Sequence, residues 1–130
     1  MAVARPTRRA FAAGGLALAS GLAMPFYSRA NARPQFTHGV QSGDVDVSTG
    51  MIWSRADRPS RVMCEVSTVE SFADAVRLAP VDALPDTDLT MKRLLDDLPA
   101  GQDIFYRLTL ADLADVNVVS EPVVGRFRTA

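Results

Sequence analysis

Arg61-Val62-Met63-Cys64-Glu65-Val66-Ser67 is the stretch on which the fold turns. Val62, Cys64 and Val66 share one face of an extended chain, and Arg61, Glu65 and Ser67 share the other. Such alternation has the period of a half-buried β-strand, because successive side chains leave a pleated backbone on opposite sides. The same rhythm recurs on both sides of it. In residues 50–55, Ile52 faces one way and Met51 and Trp53 the other. In residues 104–110, Ile104, Tyr106, Leu108 and Leu110 share a face. Residues 89–94 and 123–128 read as further strands, and Val76-Arg77-Leu78 with Val81 as a short edge strand whose pairing Pro80 limits. Trp53, the only Trp, is expected to plug the core between two sheets.

Turn chemistry separates these runs. Asp86-Thr87-Asp88 is a turn, and residues 98–103 form a loop punctuated by Pro99 and Gly101. Residues 69–75 read as a helical turn with Phe72 tucked inward, and the Asp-rich residues 111–120 as a long loop or an inserted hairpin. No stripe of helical period is sustained. About seven short strands in roughly 95 residues predict an all-β, immunoglobulin- or fibronectin-III-like antiparallel sandwich; a small Greek-key barrel is the alternative.

Composition agrees with one small folded domain. The 130 residues are 48% hydrophobic and 22% charged, which excludes a globally disordered chain. A single Cys, Cys64, excludes a disulfide framework and a multi-cysteine zinc site. The net charge of −1 conceals an asymmetry. Residues 1–32 carry Arg5, Arg8, Arg9 and Arg29 and no acid, which leaves ten cations against 15 acids in residues 33–130. The larger part is therefore acidic, and nonspecific nucleic-acid binding through a basic surface is disfavoured.

Residues 1–32 read as an address. Arg8-Arg9, with Phe11 two positions on, precedes a weakly apolar run, and Ala30-Asn31-Ala32 then supplies a small-residue cleavage pattern with Ala30 and Ala32 at its key positions. The pattern resembles a twin-arginine signal peptide. A membrane anchor fits less well, because the run from Ala10 to Tyr27 contains four Gly or Ser residues and Pro25. The expectation is an exported chain, periplasmic or extracellular, that meets the membrane only transiently during export, with residues 33–130 as the folded domain.

Two phrases then carry a family likeness. Phe36-Thr37-His38-Gly39-Val40 with Ser42-Gly43-Asp44, followed by Ile52-Trp53-Ser54-Arg55, resembles the opening of PhoD-like alkaline phosphatases and phosphodiesterases. The likeness continues through Leu98-Pro99-Ala100-Gly101, Phe105-Tyr106-Arg107 and Gly125-Arg126-Phe127-Arg128-Thr129 and covers residues 36–130. It implies a noncatalytic N-terminal β-sandwich whose partner is a larger, metal-bearing phosphatase domain absent from this sequence. It also implies no catalytic residue, cofactor-binding residue or metal ligand in this chain. A free-standing exported sandwich that binds a protein or a cell-envelope glycan is the competing reading. The tyrosine corner of fibronectin-III domains is not expected, since six residues past Leu98 stands Ile104, and Tyr106 lies two further on.

Single residues are weighed in that frame. His38 is the only His, too few for a zinc site and the one imidazole a Ser-His-Asp triad would have to use, and it reads as structural or surface. Cys64 reads as a buried, inert thiol. Asp96, Asp97 and Asp103, and Asp44 with Asp46, read as solvated loop acids rather than a calcium site, with Asp44 suited to accept backbone N–H bonds in its own turn. Arg126 and Arg128 alternate with Phe127 on the last strand, and read either as a charged edge or as a face that docks on the following domain.

Overall fold

A computed structural model describes residues 33–130. They form eight strands: β1 (Phe36–Gly43), β2 (Gly50–Ala56), β3 (Ser60–Ser67), β4 (Val76–Arg77), β5 (Val81–Ala83), β6 (Thr90–Leu95), β7 (Asp103–Asp112) and β8 (Val123–Arg128). Two antiparallel sheets result. One has the order β1-β2-β6; the other runs β4-β3-β7-β8, with β5 also pairing on β3. This is the predicted sandwich of two antiparallel sheets, with one strand more than the seven expected.

The alternation of β3 is realised in the packing. Val62 and Cys64 are almost wholly buried, while Arg61 and Glu65 remain partly solvated on the other face. β7 is the longest strand, and its Ile104, Tyr106, Leu108 and Leu110 are all buried against the opposite sheet. β4 and β5 lie along one edge of β3, with Pro80 in the break between them. Asp88 takes the left-handed conformation that closes the 3-10 turn Pro85–Thr87.

Two expectations need correction, those for Trp53 and Phe72. Trp53 does not plug the core. On β2 the inward set is Gly50, Ile52, Ser54 and Ala56, and Ile52 is completely buried, whereas Trp53 stands on the outer face between Gln41 and Lys92. The reason is complementarity across the sheets: β2 presents small residues inward, and the volume comes from Tyr106 and Phe127 of the facing sheet. A Cβ on Gly50 would stand only 2.5 Å from the Phe127 ring. Residues 69–75 form hydrogen-bonded turns, with Phe72 N–H donating to Val69 O at 2.9 Å, but Phe72 lies outside the core, with the Arg107 guanidinium 4.4 Å from its ring centre. Residues 36–43, notable in the sequence only for their likeness, form a full edge strand; most of its residues are exposed and Gly39 breaks its register at φ +67°.

The segment after β7 folds back tightly. Asp112 N–H donates to Val118 O at 2.9 Å and Ser120 N–H to Leu110 O at 2.8 Å, with one bridge between Ala111 and Val119. It is a closed loop, not a separate pair of strands.

Candidate functional site

Two depressions of the described surface gather polar side chains beside apolar ones. The larger, about 380 Å³, opens where the free edge of β6 faces the end of β3 and β4. Val66, Leu78, Leu95 and Ile104 form its floor, and Ser67, Asp74, Arg93 and Asp97 its polar rim. Ser67, Thr68 and Asp74 are engaged with one another. Both Ser67 and Thr68 donate hydroxyl hydrogen bonds to Asp74, and Ser67 Oγ accepts the Val69 N–H at 2.9 Å. The Ser67 bond, then the Thr68 bond, hold the Asp74 carboxyl below its ordinary range. Arg93 donates to the Ala79 carbonyl. The group is a stapled loop: the serine has a carboxylate beside it but no imidazole or amine to take its proton.

The smaller depression, about 200 Å³, lies on the outer face of the three-stranded sheet. Gln41, Ser42, Gly43 and Asp44 of β1 and its turn, Met51 and Trp53 of β2, and Lys92 of β6 line it. The strand register explains the grouping. Gln41, Trp53 and Lys92 form one cross-strand row, and Gly43, Met51 and Leu94 the next. Gly43 has no side chain and Leu94 is half-exposed, so Met51 between them is only partly covered, as is Trp53 in the adjoining row. His38 meets Trp53 edge-on, with ring centres 6.4 Å apart, and its Nδ1 lies 2.7 Å from Thr37 Oγ1.

The other flagged residues have structural employment. Cys64 is buried in the core, and desolvation pushes its thiol up to about 11, so it is not a nucleophile near neutral pH. Asp46, rather than Asp44, caps its own turn by accepting the Val47 N–H at 2.8 Å. Asp103 pairs with Arg128 at 3.4 Å. Burial raises the Tyr106 phenol, which hydrogen-bonds the Ser42 side chain of the opposite sheet rather than closing a tyrosine corner. Among the described residues no three His, Cys, Asp or Glu side chains stand close enough to hold a metal ion, so the metal of the phosphatase reading does not fit these residues. No helix among them is long and apolar enough to cross a membrane. Arg8, Arg9, Phe11, Ala30 and Ala32 lie outside the described residues.

Comparison with solved structures supports the architecture. The domain superposes on a structure of PhoD with a TM-score of 0.61 and 24% identity; the match covers 75% of this chain and 20% of that one. It superposes on a computationally redesigned β-sandwich protein with a TM-score of 0.53 and 14% identity, over 75% of this chain and 94% of the other. The sensor domain of the anti-sigma factor RsgI4 from Pseudobacteroides cellulosolvens aligns with a TM-score of 0.52 and 6% identity, over 76% and 98% of the two chains. At these identities the likeness speaks to fold alone. No curated protein sequence matches the chain. The sequence profile of the PhoD-like phosphatase N-terminal domain matches residues 20–130, most of the chain. On that match, with the same sandwich in PhoD, the chain belongs to the family of PhoD-like phosphatase N-terminal domains.

Proposed function

We propose that residues 33–130 are the noncatalytic N-terminal module of an exported, metal-dependent phosphatase or phosphodiesterase, and that the phosphate-ester chemistry belongs to a domain that follows. The family match over residues 20–130 carries this reading. The chain spans a fifth of the PhoD chain it resembles, which leaves room in such a protein for a much larger catalytic part. The described side chains support a structural role: the one thiol is buried, the one imidazole rests on Thr37 and Trp53, and acids such as Asp46 and Asp103 are tied into a turn and an ion pair. A catalytic constellation needs convergent acid, base and charge-stabilising groups. The module therefore packs against, and helps to shape, its catalytic neighbour.

Export is the second half of the proposal. Arg8-Arg9 and the small-residue pattern at Ala30 and Ala32 support a twin-arginine route to the periplasm or cell exterior. Two experiments test the pair of statements. Reading the natural gene beyond the codon for Ala130 is expected to reveal a phosphatase domain in frame; unrelated sequence there would refute the first. A reporter fused after residue 35 is expected to be exported, and to stay inside the cell when Arg8 and Arg9 are both changed to Lys. Export that ignores the double change would refute the second.

A further inference from the structure

We infer that the outer face of the three-stranded sheet, around Met51, Trp53 and Leu94, is the surface on which the phosphatase domain docks. The inference rests on the function proposed above and names the contact surface for it.

The first support is where the chain leads. Ala130 N–H donates to Asp46 O at 3.2 Å, and Gly101 N–H donates to Ala130 O at 3.0 Å. Thr129 is clamped as well, its hydroxyl donating to Pro99 O at 2.7 Å. The last described residue is thus held against the β1–β2 turn, two residues from Asp44 on the rim of the Trp53 depression. A chain continuing from Ala130 starts at the edge of this face. An extended residue spans roughly 3.3–3.6 Å, so a few residues of linker suffice. Tethering also raises the effective concentration of the neighbour at that surface.

The second support is what the face lacks. Beside the half-exposed Leu94, the turn carries Val45 and Val47, both exposed, and β1 leaves most of its residues in solvent. Met51 and Trp53, with Leu94 next to Met51 in its cross-strand row, make an apolar centre bordered by His38, Gln41, Asp44 and Lys92. An apolar centre with a polar rim is the anatomy of a protein contact surface.

The third support is the contrast with the opposite outer face. There Arg107 grips Glu65 through two bonds, at 2.9 and 3.2 Å, and lies over Phe72. Arg61 pairs with Asp82 at 3.0 Å and Arg128 with Asp103 at 3.4 Å. These arginines carry their own cover and counter-charges, and Val124 stands half-exposed beside them. The Arg126–Arg128 strand is therefore the weaker candidate for docking.

Hydroxyl-radical footprinting of the natural full-length protein tests the inference. Met51 and Trp53 are expected to oxidise slowly in the parent, and several-fold faster in Leu94→Glu and Val47→Glu. Both substituted residues are more than half exposed, so the domain itself tolerates the changes. Val124→Glu, on the outer side of β8, is expected to leave the footprint unchanged. Fast oxidation of Met51 and Trp53 in the parent overturns the inference. So does protection that only Val124→Glu removes, protection lost on dilution, which marks a second copy, or protection that appears only with added glycan. A natural gene product without a phosphatase domain would refute the underlying function as well; a phosphatase domain whose footprint ignores Leu94 and Val47 refutes the docking surface alone.

Discussion

Ser54 carries the one buried side-chain oxygen or nitrogen without a hydrogen-bond partner among the described residues. It faces inward on β2 between Ile52 and Ala56, where a hydroxyl loses water and gains nothing in return. Such a group costs about 1–3 kcal/mol. Ser54→Ala is therefore expected to leave urea stability unchanged or raise it by up to about 1 kcal/mol; a clear loss would mean that the hydroxyl has a partner. Cys64 gives the companion prediction. With its thiol held near 11 by burial, it is expected to react with a thiol reagent at pH 8 only after unfolding, as a time course with and without urea would show. Cys64 was legible in the sequence because its neighbours alternate cleanly around it. Trp53 was not. The alternation of β2 separates Trp53 from Ile52 but does not say which side is the core. That choice is made by Tyr106 and Phe127, more than 50 residues away in sequence, whose bulk fits against Gly50 and the small residues of β2.

At the scale of elements, two contacts tie strands together. The first joins β7 to β8. Gly125 sits directly over the Tyr106 ring, and a Cβ there would come within 2.2–2.6 Å of ring atoms and phenol oxygen. Tyr106 is almost fully buried and cannot step aside. Gly125→Ala is expected to cost about 1–3 kcal/mol in denaturant unfolding, the usual penalty of overpacking; an unchanged midpoint would contradict the fit described here. The second contact is the Glu65–Arg107 pair between β3 and β7. Hydrogen bonds from Arg107 hold the Glu65 carboxyl below its ordinary range. A depressed carboxylate contributes stability above its unfolded value, about 4.3, and loses it as pH falls through the folded one. Glu65→Gln is expected to be less stable than the parent at pH 7, by roughly 0.5–1 kcal/mol for a partly exposed pair, and the gap should close in acid. A gap that persists at pH 3, measured by thermal unfolding, would contradict the ionic origin. Most elements could be read from period and turn residues alone. β1 could not, because an edge strand interrupted by Gly39 and largely exposed has no buried face to print a pattern on the sequence.

At the scale of the molecule, the proposed role of the sandwich is that of a support, with the phosphate-ester chemistry in a neighbouring domain. The two phrases that carry the family likeness map to different work. Phe36 and Val40 pack against the core, Ile52 is buried in it, and His38, Gly43, Asp44 and Trp53 lie on the open outer face. The sequence alone could show the phrases but not this division, since inside and outside are decided by the pairing of β1 with β2 and by the sheet opposite. The most direct test of the central claim is a hydrolysis assay of the purified 130-residue chain, with p-nitrophenyl phosphate and bis-p-nitrophenyl phosphate, across added divalent metals. No turnover above buffer is expected with any of them. Metal-dependent turnover that His38→Ala abolishes would contradict that expectation, and would place a phosphatase site on this domain itself.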